Sequence, residues 1–157
     1  MCNQTARTFW LDTEAGREQA APMAEPYSRI DCLYLPPGLV GRTRLYSQAD
    51  RAVIGTIRCG VLFVMAFWSG SARLAFGELK RVLEAVDPGG ILELVVVDTD
   101  GCPDLYESPA FQGKLAGDGQ TAWVRSGQVI CTSGCGYHPE CFEANTRHLL
   151  AQCIAEQ

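Results

Sequence analysis

Three cysteines and one histidine near the C-terminus form the densest group of side chains that could do chemistry. They follow the pattern C-x3-C-x2-H-x2-C and are Cys131, Cys135, His138 and Cys141. Thiolates and imidazole nitrogens are ligands of structural Zn²⁺, so these four side chains could hold one zinc ion. The spacing is irregular and lacks a C-x2-C pair, which favours unlinked thiols over a zinc site. A disulfide between Cys131 and Cys135, or between Cys135 and Cys141, is also less favoured than unlinked thiols. We therefore predict no metal and no cofactor, with zinc as the alternative.

The other cysteines are predicted to be reduced. Residues 1–24 contain acidic side chains and no apolar segment typical of a signal peptide, which favours a cytoplasmic location where disulfides are rare. Cys59 lies in a strand-like run and Cys153 on an apolar helical face, so both are expected to be small buried hydrophobes. Cys2, Cys32 and Cys102 form no recognisable pair.

Ser69-Gly70 is the only other candidate for nucleophilic chemistry. The sequence contains no G-x-S-x-G motif, and no histidine–aspartate pair can be assigned to this serine. The acidic residues after position 97 are typical of side chains that are exposed to solvent at the protein surface. The sequence therefore predicts no catalytic residue.

Two apolar runs and the helix between them form the predicted centre of the fold. Residues 61–67 and 91–97 are too short for independent helices and are typical of strands buried on both faces. Residues 72–86 place apolar side chains at helical spacing, with charged residues on the opposite side. Together they predict a βαβ unit with parallel strands.

The remaining elements fit one mixed sheet with helices on both faces. We predict a flexible N-terminal tail or arm over residues 1–28 and a single domain over 29–157. Within that domain we predict a first strand over 29–35, a short helix or irregular connection over 47–57 capped by Ser47, a short helix over 102–115, a hairpin of 121–124 with 128–132, and a final helix over 139–155. Gly127 is expected to supply the left-handed position of the hairpin turn.

This order of elements resembles that of the thioredoxin-like superfamily. The first buried strand leads into Trp68-Ser69-Gly70-Ser71-Ala72-Arg73, where that superfamily carries Trp-Cys-Gly-Pro-Cys-Lys. Residues 95–98 resemble its Val-Asp strand end, and residues 124–129 resemble its Phe-Lys-Asn-Gly-Glu-Val hairpin. The resemblance covers residues 29–155 and implies a thioredoxin-like α/β fold.

Three departures from the superfamily argue against its usual dithiol chemistry. Ser69 and Ala72 replace the two cysteines, and a serine hydroxyl cannot form a disulfide. The cis-proline position falls on Gly119 or Gln120, where a cis bond costs about 2.5–4 kcal/mol, so we expect a trans bond. Phe63 stands where the superfamily has a buried aspartate. The chain is therefore predicted to be redox-inactive and not an enzyme.

Composition excludes two classes of partner. The net charge is −5 and the thirteen Lys and Arg residues form no run, which argues against nucleic-acid binding. No apolar segment reaches the roughly 18–20 residues that span a bilayer, which argues against a membrane partner. The Ala-, Arg- and Gly-rich composition is typical of a bacterial protein.

The resemblance implies a groove that could recognise another protein or a peptide. The predicted contact residues are Trp68, Ser69, Gly70, Ser71, Arg73, Gly119, Gln120 and Thr121. We predict a protein-binding module of the adaptor, scaffold or immunity/inhibitor type, and the sequence leaves a homo-oligomer open. The alternative is a thiol-redox or zinc-binding protein that uses the cysteine-rich C-terminal segment around Cys131, Cys135 and Cys141.

Overall fold

A single mixed sheet organises the part of the chain that the computed structural model describes, residues 33–111, 115–133 and 138–155. Its five strands have the spatial order β1-β3-β2-β4-β5. They are β1 (Thr43–Tyr46), β2 (Cys59–Met65), β3 (Glu93–Asp98), β4 (Asp118–Arg125) and β5 (Gln128–Thr132). Strands β1, β2 and β3 run parallel, whereas β4 is antiparallel to both β2 and β5.

The two faces of the sheet are covered by different kinds of helix. One face packs against α2 (Gly70–Val86) and α3 (Phe142–Ile154), with the short α1 (Pro37–Val40) beside α2. The other face packs mainly against short 3₁₀ helices, including Arg51–Thr56, Pro103–Glu107 and Pro109–Phe111. The expected mixed sheet covered on both faces is therefore confirmed, but within the described residues the α-helices pack on one face and 3₁₀ helices pack on the other.

Strand β2 contributes to both cores, which explains its uninterrupted apolar sequence. Val61, Phe63 and Met65 face the α-helical side, while Leu62 and Val64 face the 3₁₀ side. Because successive side chains point to opposite faces, a strand buried on both must be apolar at every position. The predicted βαβ unit is confirmed, with β2 and β3 parallel.

Helix α2 begins two residues earlier than its apolar pattern predicts. Ser69 is the N-cap, and its side chain accepts a hydrogen bond from the amide of Ala72. Serine is a preferred N-cap residue because its oxygen satisfies an amide that has no partner inside the helix. The cap adds Gly70 and Ser71 to the helix.

Several predicted boundaries were wrong. The described part of the predicted first strand, residues 33–35, is not a strand, and the sheet instead begins at Thr43–Tyr46. Asp50 rather than Ser47 caps the Arg51–Thr56 segment. The described part of the predicted helix over 102–115 contains separate 3₁₀ segments, Pro103–Glu107 and Pro109–Phe111, because each proline starts a new one. The predicted N-terminal tail lies outside the described residues.

The hairpin prediction was correct. Ser126 and Gly127 have φ values of 50° and 74° between β4 and β5. Two consecutive residues with positive φ match a type I′ turn, whose twist suits a two-residue hairpin. The left-handed conformation predicted for Gly127 is therefore confirmed.

A buried ion pair joins the end of α2 to the start of β1. The Asp87 carboxylate is 1% exposed and pairs with the Arg42 guanidinium. It also accepts hydrogen bonds from the amides of Ile91 and Leu92 at 3.0 and 2.8 Å. Arg42 donates to the carbonyls of Gly38 and Leu92 at 3.0 and 3.1 Å. This pair fixes the connection from α2 to β3.

Replacing Asp87 by alanine tests that connection. Removing one partner of a buried ion pair costs about 3–5 kcal/mol, because the other charge remains buried without compensation. We expect the Asp87→Ala variant to lose about 3 kcal/mol of unfolding free energy in urea denaturation. The exposed Glu84 on the same helix provides the control, and Glu84→Ala should change stability by less than about 0.5 kcal/mol. Equal losses in the two variants would contradict the assigned role.

Candidate functional site

The turn between β2 and α2 emerges at the carboxyl end of the central strand, beside the segment that follows β3. Open α/β sheets bind ligands at this end of their strands, which makes the turn the first place to look for a site. The Trp68 side chain is 60% exposed there. Its indole nitrogen donates a hydrogen bond to Asp100 Oδ2 at 3.1 Å, so the two segments are joined at the surface.

Arg73 closes the turn from the first part of α2. Its Nε and Nη2 atoms donate to the Phe67 carbonyl at 3.2 and 2.9 Å. The Ser69 amide donates to the Ala66 carbonyl at 3.0 Å, which closes the turn from inside. The exposed indole is therefore carried by a backbone with several internal hydrogen bonds.

Ser69 has a structural position in this turn. Its side chain is 8% exposed overall, and its Oγ accepts from the Ala72 amide at 3.3 Å. The same oxygen lies 2.9 Å from Ser71 Oγ. Within the described residues, its hydrogen-bond partners include no imidazole or carboxylate that could act as a base. This geometry supports helix capping and provides no activated nucleophile.

The predicted contact residues on the opposite segment are buried. Gly119, Gln120 and Thr121 all lie inside the structure, where Gln120 Oε1 accepts from the Gly117 amide at 3.0 Å. Gly119 has φ of +101°, and a Cβ there would lie 2.7 Å from the Ala75 side chain. Of the predicted contact residues, Trp68, Gly70, Ser71 and Arg73 are therefore exposed at the surface, and Gly119, Gln120 and Thr121 are not.

The backbone of this opposite segment has the expected trans geometry. None of the described peptide bonds is cis, including those around Gly119 and Gln120. Phe63, on the adjacent strand, is fully buried and its ring centroid lies 5.2 Å from that of Phe76. Aromatic packing therefore occupies the interior directly below Gly119, whose added Cβ would also meet the Phe63 ring.

Two further exposed residues, Tyr106 near Asp100 and Leu74 near the start of α2, have no counterpart among the predicted contact residues. Tyr106 is 39% exposed, and its pKa is raised first by burial and then by the Asp100 carboxylate, which places the phenol near the partner of Trp68. Leu74 is 71% exposed and follows Gly70 and Ser71 by one helical turn. The one sequence feature that indicates the exposure of Leu74 is its position outside the apolar stripe of α2. We call Trp68, Ser71, Arg73, Leu74 and Tyr106 the Trp68 surface.

The prediction that Cys59 and Cys153 are reduced was wrong. They form a disulfide that joins the start of β2 to the last turn of α3, with their Cα atoms 6.4 Å apart. The two cysteines are 94 residues apart in sequence, so no local pattern indicated the pairing. Cys59 lies about 20 Å along β2 from its carboxyl end, so the disulfide is remote from Trp68.

The remaining described cysteines are free thiols with little thiolate character. Burial is the main cause that raises the pKa of Cys102 to about 12 and the pKa of Cys131 to about 11. Burial also raises the pKa of Cys141. Because the thiolate is the nucleophile, these shifts disfavour attack by the three sulfurs at neutral pH.

The structure does not assemble the proposed zinc ligands within the residues it describes. No group of three or more His, Cys, Asp or Glu side chains in those ranges is placed to hold a metal ion. Cys135 lies outside the described residues. Zinc binding by Cys131, Cys135, His138 and Cys141 therefore stays the alternative to the prediction that no metal is bound.

Comparison with known proteins shows the fold. No protein-family model and no curated protein sequence matches the chain. Thioredoxin from Malassezia sympodialis is similar in structure, with a TM-score of 0.51, 16% identity and coverage of 67% of this chain and 92% of that one. Thioredoxin from Trypanosoma brucei brucei has a TM-score of 0.50 and 15% identity, and the match covers 67% of this chain and 92% of that one. Thioredoxin from Fasciola hepatica has a TM-score of 0.50 and 13% identity, and the match covers 68% of this chain and 98% of that one. The chain has a thioredoxin-like fold.

No helix among the described residues has the length and apolar character needed to cross a membrane.

Removing the disulfide should lower stability substantially. Cross-linking residues 94 positions apart restricts the unfolded chain, and comparable native disulfides contribute about 2–4 kcal/mol. We expect the Cys59→Ala/Cys153→Ala variant to lose that amount in urea denaturation and to be insensitive to added dithiothreitol. Cys102→Ala is the matched control, since it removes a buried thiol without a cross-link and should keep the sensitivity to reductant. A double variant as stable as the oxidised wild type would contradict this prediction.

Proposed function

We propose that this chain is a redox-inactive protein-binding module that recognises a protein or peptide through the Trp68 surface. The observation that carries the proposal is an indole ring that is 60% exposed and yet oriented by a hydrogen bond to Asp100. The module would act as an adaptor, a scaffold subunit or an inhibitor. No step of this function requires a metal or cofactor.

The composition of the Trp68 surface supports a binding role. Tryptophan and tyrosine are over-represented among the residues that contribute most to protein–protein affinity. Leu74 is a second exposed apolar side chain, near the start of α2, and Ser71 supplies an exposed hydroxyl one helical turn before it. Burying a contiguous apolar area with a polar edge is the usual anatomy of a protein interface.

The hydrogen bonds of the turn also support recognition over catalysis. Binding costs free energy when flexible side chains and loops must be ordered, and a preorganised surface avoids part of that cost. Asp100 orients the indole, while Arg73 and the Ser69 cap fix the backbone that carries it. These contacts exist before any partner arrives.

The chemistry of the turn argues against dithiol exchange. Ser69 and Ala72 stand where the resemblance places the two cysteines, and the Ser69 oxygen is engaged in capping α2. Exchange needs an accessible thiolate and a second thiol that resolves the mixed disulfide. The described thiols lie elsewhere, and their raised pKa values disfavour that reaction.

Net charge suggests the electrostatic character of the partner. The chain carries a formal charge of −5, so a basic partner would be attracted over distances beyond direct contact. Such attraction accelerates association and weakens with added salt. We therefore expect a protein partner with a positive net charge.

Substitution of Trp68 tests the proposed surface. A partner is captured from the native source with the full chain, identified, purified and titrated against the variants. We expect Trp68→Ala to weaken the measured Kd by at least about 30-fold, as for a central interface residue. Tyr34→Ala is the matched control, because Tyr34 is an exposed aromatic residue whose neighbour is Lys80 rather than Asp100. An unchanged Kd for Trp68→Ala, or equal losses in the two variants, would contradict the proposal.

A further inference from the structure

The hydrogen bond between Trp68 and Asp100 uses the one polar group of the indole. Trp68 Nε1 donates to Asp100 Oδ2 at 3.1 Å, and a tryptophan side chain has no second donor. The ring itself is nevertheless 60% exposed. A partner that contacts Trp68 therefore meets an indole whose N–H group is already used, and it must interact with the faces of the ring.

The Asp100 carboxylate is exposed and keeps capacity to accept further hydrogen bonds. Among the described residues, no side chain other than Trp68 donates a hydrogen bond to it. A carboxylate has about four lone-pair sites, so it can accept from a second donor while it holds the indole. The Asp100 amide donates to Asp98 Oδ1 at 3.1 Å, which fixes the backbone that carries the carboxylate. An ordered negative charge therefore lies at the edge of an exposed aromatic ring.

A cationic side chain is the ligand that suits this pair of groups. The face of an aromatic ring attracts cations, and among aromatic side chains tryptophan attracts them most strongly. A carboxylate beside the ring can bind the same cation through a charge-assisted hydrogen bond. The arginine guanidinium is planar, stacks on aromatic faces and offers five donors, whereas the lysine ammonium is a strongly hydrated point charge. Arginine is therefore the residue that can use the ring and the carboxylate together.

The charged groups near the indole differ between its two sides. Residues 98–111, which follow β3, include four carboxylates and no Lys or Arg. On the side of α2, the Arg73 guanidinium donates to the Phe67 carbonyl at 2.9 and 3.2 Å. An incoming cation is repelled by Arg73 and attracted by Asp100, so it approaches Trp68 from the side of the segment after β3.

We propose that Trp68 and Asp100 together form a recognition site for one arginine side chain of the protein partner. The inference rests on the proposed function, because it names the residue that the Trp68 surface would bind. The guanidinium stacks on the indole face and donates to the Asp100 carboxylate, while the indole N–H group holds that carboxylate in position. Trp68 thus contributes its ring to the partner and its N–H group to Asp100.

A tripeptide probe tests this site without the partner. The isotope-labelled full chain is titrated with acetyl-Ala-Arg-Ala-amide and, in parallel, with the peptide that carries citrulline, a neutral isostere of arginine. The indole N–H signal of Trp68 in a two-dimensional NMR spectrum, identified by its loss in Trp68→Phe, reports binding. We expect a saturable shift with the arginine peptide and a Kd at least about 5-fold weaker for the citrulline peptide, which lacks the charge. A lysine peptide should also bind more weakly than the arginine peptide, because an ammonium does not stack.

Substitution of Asp100 tests the role of the carboxylate. An asparagine oxygen in Asp100→Asn can still accept from the indole, but the negative charge is removed. We expect the Kd of the arginine peptide to rise at least about 5-fold in this variant. Glu84→Gln is the matched control, because it removes the same charge from an exposed position on α2 and should leave that Kd within about 2-fold.

Four results would overturn the inference. They are the absence of a shift at Trp68, equal affinities for the arginine and citrulline peptides, tighter binding of the lysine peptide, and an unchanged Kd in Asp100→Asn. Each of these results concerns the arginine site alone. The proposed function is tested separately, by the effect of Trp68→Ala on the Kd of the captured partner, so the two failures are distinguishable.

Discussion

The burial of strand β2 on both faces is the constraint on which the rest of the structure depends. Hydrogen bonds to β3 and β4 hold its two edges, and two separate cores cover its faces. Because nothing around this strand can shift without opening a core, the point where the chain leaves it is fixed. The turn that follows, with Trp68 at its surface, takes its position from that strand and its direction from the Ser69 cap of α2.

The fold determines where the turn between β2 and α2 lies, whereas the residues of that turn determine its chemistry. The carboxyl end of the central strand is where the resemblance to thioredoxin-like proteins implies a reactive dithiol, and the structure supplies there a capped helix, an engaged serine and an exposed indole. The opposite segment is packed too tightly to take part, since Gly119 leaves no room for a side chain against Ala75. What remains at the surface is suited to contact with another molecule. The disulfide among the described cysteines lies elsewhere, between the start of β2 and the last turn of α3.

The centre of the fold was predictable because its signals are local. Residues 61–67 and 91–97 are apolar at every position, and residues 72–86 repeat at helical spacing, so the βαβ unit follows from periodicity. Thr43–Tyr46 was missed because this four-residue edge strand is only partly buried at every position and has no alternating pattern. The prolines at 103 and 109 begin two separate 3₁₀ segments, whereas the pattern of residues 102–115 predicts one short helix.

The candidate site was only partly predictable, because its missing features depend on contacts between distant segments. Trp68, Ser71 and Arg73 follow from their place after a buried strand, whereas the burial of Gln120 and the proximity of Tyr106 to Asp100 depend on tertiary packing. The Cys59–Cys153 pairing spans 94 residues. Ile130 is an extra residue in β5, so Cys131 packs on the core under α2 and α3 while Val129 packs on the other core. Strand alternation alone would have assigned Cys131 to the wrong face.

The measurement that tests the central claim most directly is the rate of insulin disulfide reduction by dithiothreitol in the presence of the full, oxidised chain. The account predicts a rate equal to that of dithiothreitol alone, because no cysteine lies in the turn between β2 and α2. An acceleration that grows in proportion to the protein concentration would contradict the claim that this thioredoxin-like fold serves binding and not dithiol exchange.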